Sequence, residues 1–100
     1  MIEVYVKFYK NEVEIECIKV DFWDHNELKK DYDFEAVHFA GEIDHYFTVS
    51  IEDLIQIHRK YYPYNDHRAL EAAKKIDELI ETPDRYDKII IVLWVYYSGY

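Results

Sequence analysis

Residues 2–9 (IEVYVKFY) set Ile2, Val4, Val6 and Phe8 on one parity and Glu3, Tyr5, Lys7 and Tyr9 on the other, the period-two pattern of a half-buried strand. A turn at Asn11-Glu12 leads into 13–22, which opens with Val13, Ile15 and Cys17 on one face and then changes phase at Ile18, Val20 and Phe22. A phase change inside a strand predicts a bulge near Cys17, or cover on both faces. Counted back from the turn, this hairpin pairs Phe8 with Ile15, Val6 with Cys17 and Lys7 with Glu16.

Residues 23–33 (WDHNELKKDYD) are polar without a clean period and predict a loop, with one helical turn capped by Asp24. A second hairpin follows, 34–40 and 43–49 about Gly41-Glu42, where glycine suits the positive φ of a two-residue type II′ turn. That register sets His38 opposite His45, Ala36 opposite Phe47 and Phe34 opposite Val49. Ser50, with Asp53 three residues on, caps a helix whose apolar stripe is Ile51, Leu54, Ile55, His58, Tyr61 and Tyr62, ended by Pro63. Asn65 or Asp66 caps another, with Ala69, Leu70, Ala73, Ile76, Leu79 and Ile80 on its stripe and Pro83 beyond its end. The last run, Ile89 to Tyr97, is β-branched and aromatic on both parities, as expected of a central strand covered on two faces.

The predicted fold is therefore α+β: a mostly antiparallel sheet of about five strands, element order β-β-β-β-α-α-β, with a helix hairpin packed on one face. One domain over residues 1–100 fits the length. Helices cover one side of the last strand, and nothing left in the chain supplies a layer for the other. Pairing of two chains through Trp94, Tyr96 and Tyr97 is the expected remedy.

Composition narrows the function. Half the residues are apolar and 18% aromatic, with only 2 Gly and 2 Pro, so a glycine-rich phosphate loop is excluded. Neither a signal sequence nor an apolar run approaching the about 20 residues of a membrane span is present, and the single cysteine, Cys17, forms no internal disulfide. The expectation is a cytoplasmic protein, or one acting in a host cytoplasm if the gene is viral. Formal net charge is −9, and residues 1–53 hold 14 Asp and Glu against 5 Lys and Arg, while residues 54–100 hold 7 of each. Such a first half repels nucleic acid and attracts a basic partner.

Candidate chemistry is sparse. His38 and His45, opposite each other on the predicted hairpin, present two imidazoles to a metal, with Cys17, His25, His58 and His67 as candidate further ligands at no recognised spacing. The carboxylate groups Asp21, Asp24, Glu27 and Asp31, Asp33, Glu35 offer all-oxygen ligands for magnesium or calcium, without the glycine and terminal glutamate of a calcium loop. Neither serine has an elbow motif, and a thiol buried mid-strand at Cys17 is inert. No catalytic residue and no cofactor is assigned.

The aromatic load, 11 Tyr, 5 Phe and 2 Trp, exceeds what so small a core holds, and Tyr and Trp suit protein contact. The expected function is a non-enzymatic acidic module that binds a basic or nucleic-acid-binding protein through Glu3, Tyr5, Tyr9, Glu14, Glu16, Asp31, Asp33 and Glu35. In size and charge the chain is similar to viral and mobile-element inhibitors, including anti-CRISPR and anti-restriction proteins, whose acids stand in for phosphates. The alternatives are a small metal-dependent hydrolase or nuclease built on His38 and His45, and a structural homo-oligomer. The acids fall in the hairpins and the loop between them, and the apolar excess in the last strand, so the two are expected to form separate surfaces.

Overall fold

The computed structural model describes residues 2–39 and 42–96. The elements are β1 (Ile2–Lys10), β2 (Val13–Lys19), α1 (His25–Asp31), β3 (Glu35–Phe39), β4 (Glu42–Val49), α2 (Ile51–Lys60), α3 (His67–Glu81), a 3-10 turn at Pro83–Arg85, and β5 (Lys88–Tyr96). The five strands form one antiparallel sheet in the order β2-β1-β5-β4-β3. The predicted α+β class holds, and the last strand is central, as its two-sided apolar pattern requires.

Alternation along the strands splits the sheet into two faces. Val4, Val6 and Phe8 of β1, Ile18 of β2, Val49 of β4 and Ile89, Ile91 and Leu93 of β5 are buried against the helices. Leu28 of α1, Leu54 and Ile57 of α2, and Ile76 and Leu79 of α3 close that core from the other side. Phe8 meets the Tyr86 ring edge-on at 4.9 Å, and the Tyr86 hydroxyl donates to the Leu79 carbonyl at 2.7 Å, so a buried phenol is satisfied by the end of α3. The shortest axis of the molecule is 22 Å, the thickness of one sheet and one helix layer.

Local chemistry sets the element ends. Asp24 accepts from the backbone N–H of Asn26 and Glu27, Ser50 from Asp53, and Asp66 from Arg68 and Ala69, each filling donors that a helix start leaves open. The segment expected as a loop with one helical turn from Asp24 thus holds a seven-residue helix, α1, capped by that residue and anchored by one buried side chain, Leu28. Asn11 and Glu12 have φ of 51° and 68°, the paired left-handed conformation of a two-residue type I′ turn, and Lys10 pairs with Val13 across it.

Both hairpin registers differ from expectation. In the first, pairing runs Phe8–Glu16, Lys7–Cys17 and Val6–Ile18, with Tyr9 opposite Glu14, so Ile15 is the extra residue of a bulge and every partner beyond it moves by one. The bulge near Cys17 is therefore present, and the Lys7–Glu16 and Phe8–Ile15 pairs are replaced. In the second, Phe39 pairs with Glu42, His38 with Ile43 and Ala36 with His45, a slip of two residues from the predicted register. A slip of two preserves which residues share a face, which is why the face assignment survives while the pairing does not. The residues between these strands, Ala40 and Gly41, lie outside the described residues.

Candidate interaction surface

The buried side chains of α1, α2 and α3 all join the core on the first face of the sheet, and the remaining strand positions make up the second. Three cross-strand rows define it. Lys19, Tyr5, Val92, Tyr46 and Glu35 are successive partners across all five strands. On one side lies the row Glu3, Trp94, Asp44, and on the other Cys17, Lys7, Ile90, Thr48. Tyr5, Ile90, Val92, Trp94 and Tyr46 are half-buried. A shallow depression of about 310 Å³ runs between Tyr5, Lys7, Cys17, Asp44, Val92 and Trp94.

Strand order corrects the expectation of two separate surfaces. Because β5 inserts between β1 and β4, Trp94 stands beside Glu3 and Asp44, so aromatic and charged positions occupy one face. The charges on its β2–β1 half are internally matched: Lys19 lies 3.3 Å from both Glu3 and Asp21, and Lys7 lies 3.2 Å from Glu14. The Lys19 ammonium is raised by its hydrogen bonds to Glu3 and Asp21. For Lys7, partial burial acts downward, and the hydrogen bond and charge of Glu14 outweigh it to raise the group. On the β4–β3 half stand Asp44 and Glu35, with the Tyr46 hydroxyl donating to Glu35 at 2.5 Å and raised by that bond.

The eight residues expected to bind a partner therefore divide. Glu3, Tyr5, Tyr9, Glu14 and Glu35 lie on the open face. Glu16 does not: paired with Phe8 beyond the bulge, it lies on the helix side of the sheet, 3.7 Å from Arg85. Asp31 ends α1 and Asp33 follows it, so with Glu35 they form an exposed rim beside the edge strand β3. Tyr32, between the two aspartates, is raised by burial and then by the charges of Asp53 and Asp31, which marks this rim as locally acidic. Trp94 is on the open face; Tyr96 closes β5 opposite Glu42, and Tyr97 lies outside the described residues.

The metal readings meet a different geometry. His38 and His45 are not opposite each other, since each pairs with an apolar residue, Ile43 and Ala36. Asp21, Asp24 and Glu27 serve three separate ends: Asp21 accepts from the Val4 backbone N–H at 3.2 Å, Asp24 caps α1, and Glu27 accepts from Tyr61 at 2.6 Å and Lys60 at 3.0 Å. Among the described residues, no three His, Cys, Asp or Glu side chains converge as a metal site. Cys17, expected to be buried, is exposed on the edge strand β2, with burial of its surroundings raising the thiol.

One polar cluster was not singled out from the sequence. His58, 4% exposed, places Nε2 at 2.6 Å from Asp77 Oδ1, and Tyr62 donates to the other oxygen of Asp77 at 3.2 Å. The carboxylate is the acceptor, so Nε2 donates to it, and the other ring nitrogen, Nδ1, is buried without a hydrogen-bond partner. A catalytic base needs its acceptor nitrogen within reach of substrate. Here that atom is sealed, so the pair acts as a clasp between α2 and α3. Its sequence signal was His58 on the apolar stripe of α2, a polar residue at a core position.

No helix among the described residues is long and apolar enough to cross a membrane. Comparison of the chain with protein families, with curated proteins and with solved structures finds no match in any of the three.

Proposed function

We propose that the chain is a non-enzymatic protein-binding module whose docking surface is the open face of the sheet. The observation that carries this reading is the row of half-buried Tyr5, Val92 and Tyr46 with Trp94 beside it, on the sheet face opposite the helix layer among the described residues. Aromatic side chains ringed by charge are what protein interfaces favour at their centres and rims. The acidic rim at Asp31, Asp33 and Glu35 lies at the edge of that face and attracts a basic partner, the form the reading takes if the chain is an inhibitor of a nucleic-acid-handling protein.

A photo-crosslinking amino acid at Val92, compared with one at the exposed Lys74 of α3, tests the reading in intact cells. Crosslinked protein at Val92 and none at Lys74 is the expected result. Equal yields at the two positions, or none at either, contradict it.

A further inference from the structure

The row across the sheet has a symmetry of its own. From β2 to β3 it reads Lys19, Tyr5, Val92, Tyr46, Glu35: a cation, a tyrosine, an aliphatic centre, a tyrosine and an anion. Turning such a row through half a turn about its centre lays the cationic end over the anionic end, tyrosine over tyrosine, and the aliphatic residue over itself. Building on the reading of the open face as a docking surface, we propose that its occupant is a second copy of the chain, stacked sheet to sheet about a two-fold axis along β5 above Val92. Lys19 of each copy then faces Glu35 of the other.

Three further observations favour a second copy over a basic protein on this face. The chain as a whole carries −9 and repels its like. On this face, however, Lys7, Lys19 and Lys88 interleave with the acids, so two such chains approach there with less repulsion than the net charge implies. Under a two-fold along β5 the Lys19 ammonium, held between Glu3 and Asp21 of its own chain, lies over Glu35 of the other copy, so the two ends of the row complement each other. Stacked sheets hold their strands within about 30° of each other, so the register along β5 is kept near its centre. Five strands about 4.8 Å apart and on average about 25 Å long give a face of roughly 600 Å² in projection. With the relief of its side chains such a face approaches the size, about 800 Å² per partner, that a stable complex uses.

Sedimentation velocity over a concentration series into the high micromolar range tests this, with circular dichroism checking that each variant is folded. The wild-type chain is expected to sediment as a dimer. Glu35→Lys sets lysine against lysine at two symmetric contacts and weakens association by about tenfold. Lys19→Glu, which also sits beside Glu3 and Asp21, weakens it similarly, and the double variant Lys19→Glu/Glu35→Lys restores it. A wild-type monomer throughout the series overturns the proposal, as does a dimer that neither single variant weakens. Failure here is distinct from failure of the binding-module reading: a monomer whose Val92 crosslinks to a different protein removes the second copy and keeps the docking face, and a monomer with no crosslink removes both.

Discussion

The Tyr5 hydroxyl donates to Glu3 Oε2 at 2.6 Å while Lys19 approaches Glu3 Oε1 at 3.3 Å, so one carboxylate on the open face is held from two strands. The bond to Glu3, then partial burial and the Glu3 charge, push Tyr5 up to about 12, and burial followed by the bond to Glu27 does the same for Tyr61. A phenol raised in the folded state contributes stability that is complete below its ordinary value near 10 and is lost as pH climbs toward the folded value. Urea midpoints should therefore fall between about pH 10 and about pH 12. The double variant Tyr5→Phe/Tyr61→Phe should show a shallower fall, the remainder coming from the other raised phenols and the lysines. Identical slopes for the two proteins would show that neither phenol is tied as described.

The clasp between helices makes a separate claim. Asp77→Ala leaves the Nε2–H of buried His58 without an acceptor and should cost about 1–3 kcal/mol, toward the lower end because the Asp77 side chain is 46% exposed and water reaches the gap. Tyr62→Phe removes only an outer donor and should cost about 0.5–1 kcal/mol. Urea unfolding of both variants measures the difference, and an Asp77→Ala protein as stable as wild type contradicts the clasp.

The turn of the first hairpin offers a stabilising change. Glu12 holds φ of 68°, a conformation that costs a side-chain-bearing residue about 1–2 kcal/mol and glycine almost nothing. After the extra freedom glycine gains in the unfolded chain, Glu12→Gly should stabilise by about 0.5–1 kcal/mol and raise Tm by about 3–6 °C. A lower Tm in calorimetry would mean that the turn differs from type I′.

How far the sequence carried these conclusions depended on what periodicity encodes. It encodes faces: the alternation of Val4, Val6 and Phe8 against Tyr5, Lys7 and Tyr9 appears unchanged in the burial of β1, and the double-sided run Ile89–Tyr97 marked a central strand. It does not encode register. Moving the second hairpin by two residues leaves Ala36, His38 and His45 with the same parity, so nothing in the pattern separated the predicted His38–His45 pair from the observed one. A single bulged residue, Ile15, then sent Glu16 to the helix side and away from Glu14. Strand order was equally silent, because an apolar run states that it needs neighbours and not which. Only the order β1-β5-β4 brings Tyr5, Val92 and Tyr46 into line. The short helix α1 was legible as one turn capped by Asp24 and not in its full extent, because one buried residue, Leu28, sets no period.

The claim that the open face is an interface is tested most directly by hydroxyl-radical footprinting across a dilution series, with mass-spectrometric readout of each aromatic residue. Tyr64, 77% exposed on the helix side, serves as the internal control. The oxidation rates of Tyr5, Tyr46 and Trp94 should fall together as concentration rises while that of Tyr64 stays constant. Rates for all four that are independent of concentration, in a protein incubated alone, would contradict self-association through this face.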